Sequence, residues 1–218
     1  MNRDKRKTGR NGPSEPGNGS MRQRLLAAAT ELFTQKGYPA TTVREIVTSA
    51  GVTKPVLYYY FRNKEGIYLE LMRETFAKLD NLLKDSSGEA GTARHKLLRF
   101  CLEVYSLFLE NIQAVRMMYA IYYGPHQGAP FFDFDSYHHK FQQALRNLVE
   151  EGTRKGEFRR GQAEEITWLI LGAVNVAMEV DLSHPEMSMG QKGLTRVLEL
   201  FFRAISSEPK GRKKEKVR

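Results

Sequence analysis

Residues Thr41 to Lys64 read TTVREIVTSAGVTKPVLYYYFRNK, and the order of caps and apolar residues in this stretch decides the fold. In Thr42-Val43-Arg44-Glu45 a threonine hydroxyl is placed to cap the first free amides of a helix, while the glutamate three residues on reaches back to the threonine amide. The helix opened there is short, because Ala50-Gly51-Val52 supplies a tight turn. Thr53 is then expected to cap a second helix, whose first turn holds Pro55, a place where proline costs no hydrogen bond. Ile46, Val47, Ala50, Val52, Leu57 and Phe61 fall where the two helices of a helix-turn-helix pack on a third. That third helix lies upstream, over 21–36. Leu25, Leu26, Ala29, Leu32 and Phe33 recur there at helical spacing, opposite Arg22, Arg24, Glu31 and Gln35, and Gly37 stops it.

A step of about 100° per residue from Thr53 turns Leu57, Tyr60 and Phe61 to one side and Lys54, Pro55, Tyr58 and Tyr59 to the other. Three successive tyrosines cannot all enter a core, so a basic and aromatic face is left outside. On a helix lying in a major groove such a face suits double-stranded DNA, with N-terminal side chains near base edges and flanking hydroxyls on phosphates. Helix N-termini at Thr42 and at Asn63-Lys64 would add amide dipoles for phosphate oxygens.

Charge follows the same division. The chain of 218 residues is net +9, and residues 1–20, 21–66 and 208–218 carry +3, +4 and +4, which leaves −2 on the body 67–207. Positive charge confined to one module and the termini implies an anionic partner for that module and a different task for the body. Residues 1–20, rich in Gly, Pro, Ser and basic side chains, read as a disordered arm, and 208–218 as a disordered basic tail. A solvated arm is the simpler reading, although such arms can follow a minor groove.

Beyond 66, apolar residues at helical spacing place a long helix from Ile67 to Leu83 and further helices near 94–110, 112–123, 134–151, 163–181 and 189–206. No stretch alternates with period two. The expected architecture is all-α with about nine helices, a helix-turn-helix unit over 21–66 and a larger helical domain over 67–207. The longest uncharged apolar run, Ile166 to Met178, has 13 residues, short of the roughly 20 needed to span a bilayer, so no membrane association is expected. With no apolar stretch in 1–20 and a single cysteine, Cys101, set among Phe100, Leu102 and Val104, the chain is expected to be cytoplasmic and that thiol buried and inert.

The 41–64 stretch resembles the TetR, or tetracycline-repressor, family, whose signature runs roughly Thr-x-x-x-Ile-Ala-x-x-Ala-Gly-Val-Ser-x-Gly-x-Leu-Tyr-x-His-Phe-x-x-Lys. With the preceding helix the likeness covers about 45 residues. Val47, Pro55 and Tyr60 depart from the usual Ala, Gly and His; Pro55 is compatible with a first helical turn, so the fold stands while the operator sequence stays open. The resemblance implies that Thr42, Tyr58 and Lys64 bind phosphates and that Arg44, Lys54, Pro55 and Tyr59 lie near bases, with the Thr53 hydroxyl beside them. It also implies a ligand cavity among the central helices and a homodimer formed by the last two. Ile170, Val174, Ala177, Leu194, Val197, Leu198 and Phe201 are the expected dimer residues, with packing inside the monomer as the competing use. Tyr105, Phe108, Met117, Tyr119, Tyr122, His126, Phe134, Tyr137 and His138 are expected to line the cavity around an apolar or aromatic small-molecule effector.

Asp133, Asp135, His138 and His139 could in principle share a cation, but Asp135 is expected to cap the helix that follows and the two histidines point apart; no metal and no cofactor is assigned. There is no Gly-rich phosphate loop, serine elbow or HExxH helix, so the chain is not expected to be an enzyme. The function implied is a ligand-released repressor on a palindromic operator, the alternative being a DNA-binding scaffold protein.

Overall fold

The computed structural model describes residues 18–85, 90–122 and 128–206. The arm (but for its last three residues), the tail and His126 lie outside them. The described chain folds into α1 (Asn18–Lys36), α2 (Val43–Ala50), α3 (Lys54–Phe61), α4 (Lys64–Asp85), α5 (Ala93–Glu110), α6 (Ile112–Tyr122), α7 (Phe134–Lys155), α8 (Ala163–Ser183) and α9 (Gly190–Ile205), with a 3-10 turn at Pro185–Met187. A single antiparallel bridge, Phe158 to Ser206, is the only extended pairing among the described residues.

Two apolar cores organise these helices. The N-terminal one gathers Leu25, Phe33, Ile46, Leu57 and Phe61 from α1 to α3, and continues through Ile67, Tyr68, Met72 and Phe76 of α4. The second lies among α5, α7, α8 and α9, around Leu97, Phe100, Leu145, Ile170, Leu194 and Phe202. Helix α4 runs unbroken through the division expected at residue 66: its first three turns belong to the N-terminal core, while Leu79, Leu82 and Leu83 pack on the second. Helix α6 is shared as well, sending Met117 into the N-terminal core and Val115 into the other.

The body corrects the expected dimer face. Ile170, Val174, Ala177, Leu194 and Leu198 are between 0% and 3% exposed within one chain, so they hold α8 and α9 to their own subunit. Of the seven residues assigned to a partner, Val197 is exposed and Phe201 half-buried. The outward apolar side chains are Trp168, Leu169 and Val176 on α8 with Val197 and Leu200 on α9, each at least 41% exposed. Apolar residues surround α8 on both sides, at 166, 170, 174 and 177 and again at 168, 169 and 176, so its hydropathy could not tell the inner side from the outer. By length and composition this helix could also cross a membrane, but its inner side is built into the second core.

Candidate nucleic-acid interface

At the start of α2 the Thr42 backbone is extended (φ −105°, ψ 153°) and its Oγ1 accepts from the Glu45 amide at 3.3 Å, while Glu45 Oε2 accepts from the Thr42 amide at 2.8 Å. The capping box is therefore complete. Lys36 of α1 also pairs with Glu45, and this ammonium together with the Thr42 donors lowers the carboxyl to about 2. The box thus ties α2 to α1 as well as starting it. Gly51 ends α2 in the left-handed region (φ 63°), where Arg24 Nη2 donates to its carbonyl at 3.2 Å.

Thr53 takes the N-cap position of α3, but its side chain makes no capping bond, contrary to expectation. The amides that start α3 are reduced by Pro55 in the first turn, and the Thr53 hydroxyl stays at the surface. Along α3 the faces fall as the 100° step places them. Leu57 and Phe61 are buried, and Tyr60 is half-buried against the N-terminal core. Lys54 and Pro55 face solvent beside Tyr58 and Tyr59, the latter 76% exposed. The Tyr59 ring meets that of Tyr60 edge-on at 5.0 Å, which fixes its direction from the helix. Arg44 is exposed on α2.

Lys64 requires a correction. Its ammonium, expected on a phosphate, turns inward to the carbonyls of Tyr38 at 2.8 Å and Thr41 at 2.9 Å and lies 4.1 Å from the centre of the Tyr38 ring. Burial lowers its pKa. It fastens the start of α4 to the α1–α2 turn, and two backbone carbonyls closed into one loop give no sequence signal that would have announced it. Asn63 caps α4, its Oδ1 accepting from the Gly66 amide at 2.7 Å. Sequence reading missed Arg62, which ends α3 at φ 62°, the one positive φ outside glycine among the described residues, and stands exposed at the C-terminal end of α3.

Within the body, α4, α5, α6, α7 and α8 enclose a cavity of about 310 Å³. Phe108, Tyr119, Tyr122, Phe134, Tyr137 and His138 line it, as expected. Tyr105 and Met117 do not. The Tyr105 hydroxyl donates to buried Asp181, and burial pushes it up to about 12; Met117 is held in the N-terminal core. Sequence reading missed Thr75, Asn111, Asn175 and Met178 on the lining, because an isolated hydroxyl, amide or thioether in an amphipathic helix looks like any surface or core position. Asp133, rather than Asp135, caps α7, its Oδ1 accepting from the Ser136 amide at 3.1 Å. Asp135 sits in the first turn and receives the Tyr122 hydroxyl at 2.5 Å. No three His, Cys, Asp or Glu side chains gather as a cation site among the described residues.

Residues 25–71 match the model of the bacterial regulatory proteins of the tetR family. Over 154 residues the chain is 30% identical to the HTH-type transcriptional repressor KstR2 of Mycolicibacterium smegmatis, an alignment that spans 67% of this chain and 71% of that protein. It is 27% identical over 160 residues to the HTH-type transcriptional regulator QacR of Staphylococcus aureus, covering 72% of this chain and 83% of the other. Among solved structures, NalD, the secondary repressor of the MexAB-OprM multidrug efflux pump in Pseudomonas aeruginosa, superposes with a TM-score of 0.63 at 20% identity, over 87% of this chain and 98% of that one. The TetR family transcriptional regulator PfmR from Thermus thermophilus gives 0.63 at 24% identity, over 83% and 97%. At these identities the structural likeness speaks for the fold.

Proposed function

The chain belongs to the TetR family of bacterial regulatory proteins and is a DNA-binding transcriptional regulator, and from that premise we propose that it is a homodimeric repressor which a small apolar or aromatic molecule releases from a palindromic operator. The observation that carries this reading is the two-sidedness of α6. Met117 is buried with Phe33 and Leu57 in the core behind α3, while Met118, Tyr119 and Tyr122 of the same helix wall the cavity. A ligand that bound one setting of α6 better than another would shift the orientation of α3 by its difference in affinity, and no more.

Lys54, Pro55, Tyr58, Tyr59 and the Thr53 hydroxyl are the proposed readers of the major groove, with Thr42 and Arg44 beside them; Lys64 supports the unit from within. Two such units read successive major grooves when their recognition helices stand about 34–36 Å apart. The exposed stripe of Trp168, Leu169, Val176, Val197 and Leu200 supports pairing of α8 and α9 with those of a second copy. The test is selection of genomic fragments by the purified protein, followed by footprinting and a reporter fused to the selected promoter. A short protected palindrome, and expression that rises when the gene is deleted, are expected. Dispersed occupancy with no palindrome, or expression that falls on deletion, overturns the repressor reading.

A further inference from the structure

We propose that Arg62 is the cationic phosphate contact of the DNA-binding unit, an inference that rests on reading α3 as the helix in the major groove. The choice follows from which cations are already engaged. Residues 21–66 hold seven lysines and arginines. Arg22 pairs with Glu70 at 2.5 Å and Glu74 at 2.7 Å, Arg24 donates to the Gly51 carbonyl at 3.2 Å, and Lys36 pairs with Glu45. Lys64 is held by the Tyr38 and Thr41 carbonyls. The side chains of Arg44, Lys54 and Arg62 are exposed and have no hydrogen-bond or ion-pair partner among the described residues.

Arg44 and Lys54 are placed near the bases, whereas Thr42 and Tyr58, expected on phosphates beside Lys64, are neutral hydroxyls. With Lys64 turned inward that set is left without a cation, although the salt-dependent part of DNA affinity comes from cations that displace counterions. Arg62 stands where one is needed. It follows Tyr58 by four residues, and its amide donates to the Tyr58 carbonyl at 3.1 Å, so it extends the outer face by one turn. It lies eight residues beyond Lys54, about 12 Å along the axis, which exceeds the roughly 8.5 Å depth of a major groove. A helix whose first turn meets the bases therefore carries Arg62 at the phosphate rim. The backbone supports the same assignment. Arg62 has φ 62° and ψ −39°, and the Asn63 amide donates across it to the Phe61 carbonyl at 2.7 Å, which is the rare, strained kind of γ-turn. Glycine would take this conformation freely, so an arginine held there at a conformational cost points to a use for its side chain.

Fluorescence anisotropy of the full chain over a series of salt concentrations tests this, with a mixed-sequence duplex of about 30 base pairs and with the genomic fragment that the protein selects. Arg62→Ala should weaken binding of both duplexes by a similar factor, roughly fivefold to tenfold at about 0.1 M salt, and lower the slope of log K against log salt by about one. Arg62→Lys should keep the slope. Arg62→Gly should match the alanine variant in both readings while its thermal midpoint stands at or above that of the parent, because glycine relaxes the turn; this separates a lost contact from a damaged fold. An unchanged slope in the alanine and glycine variants, while Lys54→Ala with Tyr58→Ala still weakens binding, overturns the assignment and leaves α3 as the reading helix. A loss confined to the selected fragment marks a base contact and overturns it too. If none of these variants weakens binding, the groove reading of α3 falls and the phosphate contact falls with it.

Discussion

Helices α3 and α8 both turn large apolar side chains to solvent, and they do so with different chemistry. On α3 the exposed groups are tyrosines, amphipathic rings with a hydroxyl at the tip, set beside Lys54 and Pro55 on a helix of eight residues. On α8 they are Trp168, Leu169 and Val176, on a helix of 21 residues, and the charged neighbours on that helix are acidic. A wet, polyanionic partner is met by rings that can stack and hydrogen-bond together with a cation. A dry partner of the same kind is met by aliphatic surface, where a phosphate would find nothing. The two helices therefore show that exposed hydrophobicity alone names no partner; the polar groups standing next to it do.

The sharpest way to break this comparison is to remove the polar half of the α3 face. Lys54→Ala combined with Tyr58→Ala should weaken operator binding at least about 100-fold, on the order of 3 kcal/mol. Its thermal midpoint should stay within roughly 2 °C of the parent, since both side chains are exposed. Fluorescence anisotropy with the selected fragment measures the first and calorimetry the second. Unchanged affinity would remove α3 from the interface.

The two sides of α8 should respond in opposite ways. Ile170→Ala, on the buried side, should lower stability by about 2–5 kcal/mol, seen in urea unfolding. Leu169→Glu, one residue earlier on the outer side, should leave the helical spectrum intact and halve the mass found by sedimentation equilibrium. A dimer that survives Leu169→Glu, and also Val176→Glu, would place the subunit contact on another surface.

Smaller effects are expected where α2 is held. Gly51→Ala forces a side chain into the left-handed region, with its Cβ 2.5 Å from Arg24 Nη2, and should cost about 1–2 kcal/mol, read from the same urea curves. Glu45 should give the smallest shift, and a pH-dependent one. Its carboxyl lies near 2 in the folded chain against 4.5 when free, so its contribution to stability is complete above about 4.5 and fades as the pH falls toward 2. Thermal midpoints of the parent and Glu45→Gln should differ at neutral pH and converge near pH 2. A constant gap across that range would mean that the Lys36 and Thr42 contacts do not hold the charge in solution.

The N-terminal unit was legible because its rules are local. A capping box spans four residues, a left-handed glycine one, and the inward and outward faces of an eight-residue helix follow from angular spacing alone. Even there, contacts that close through space escaped reading: the turn of Lys64 toward the Tyr38 and Thr41 carbonyls, the uncapped Thr53, and Arg62 at positive φ. In the body the helices themselves were legible, but the use of their side chains was not. Tyr105 looks like Tyr119 in a list of residues. The first is spent on Asp181 and the second faces the cavity, according to which helix each happens to oppose.

By itself, then, the sequence determined an all-helical chain, the helix-turn-helix with its outward tyrosines, and the division of charge between that unit and the body, because each depends on neighbours a few residues apart. Only the tertiary structure decided which side of α8 is core, that α4 and α6 are common to both cores, and that Asp135 and seven rings share one cavity. The reason is physical: burial and charge pairing are properties of surfaces brought together from distant parts of the chain, and a helix with two apolar sides presents both equally until one of them is covered.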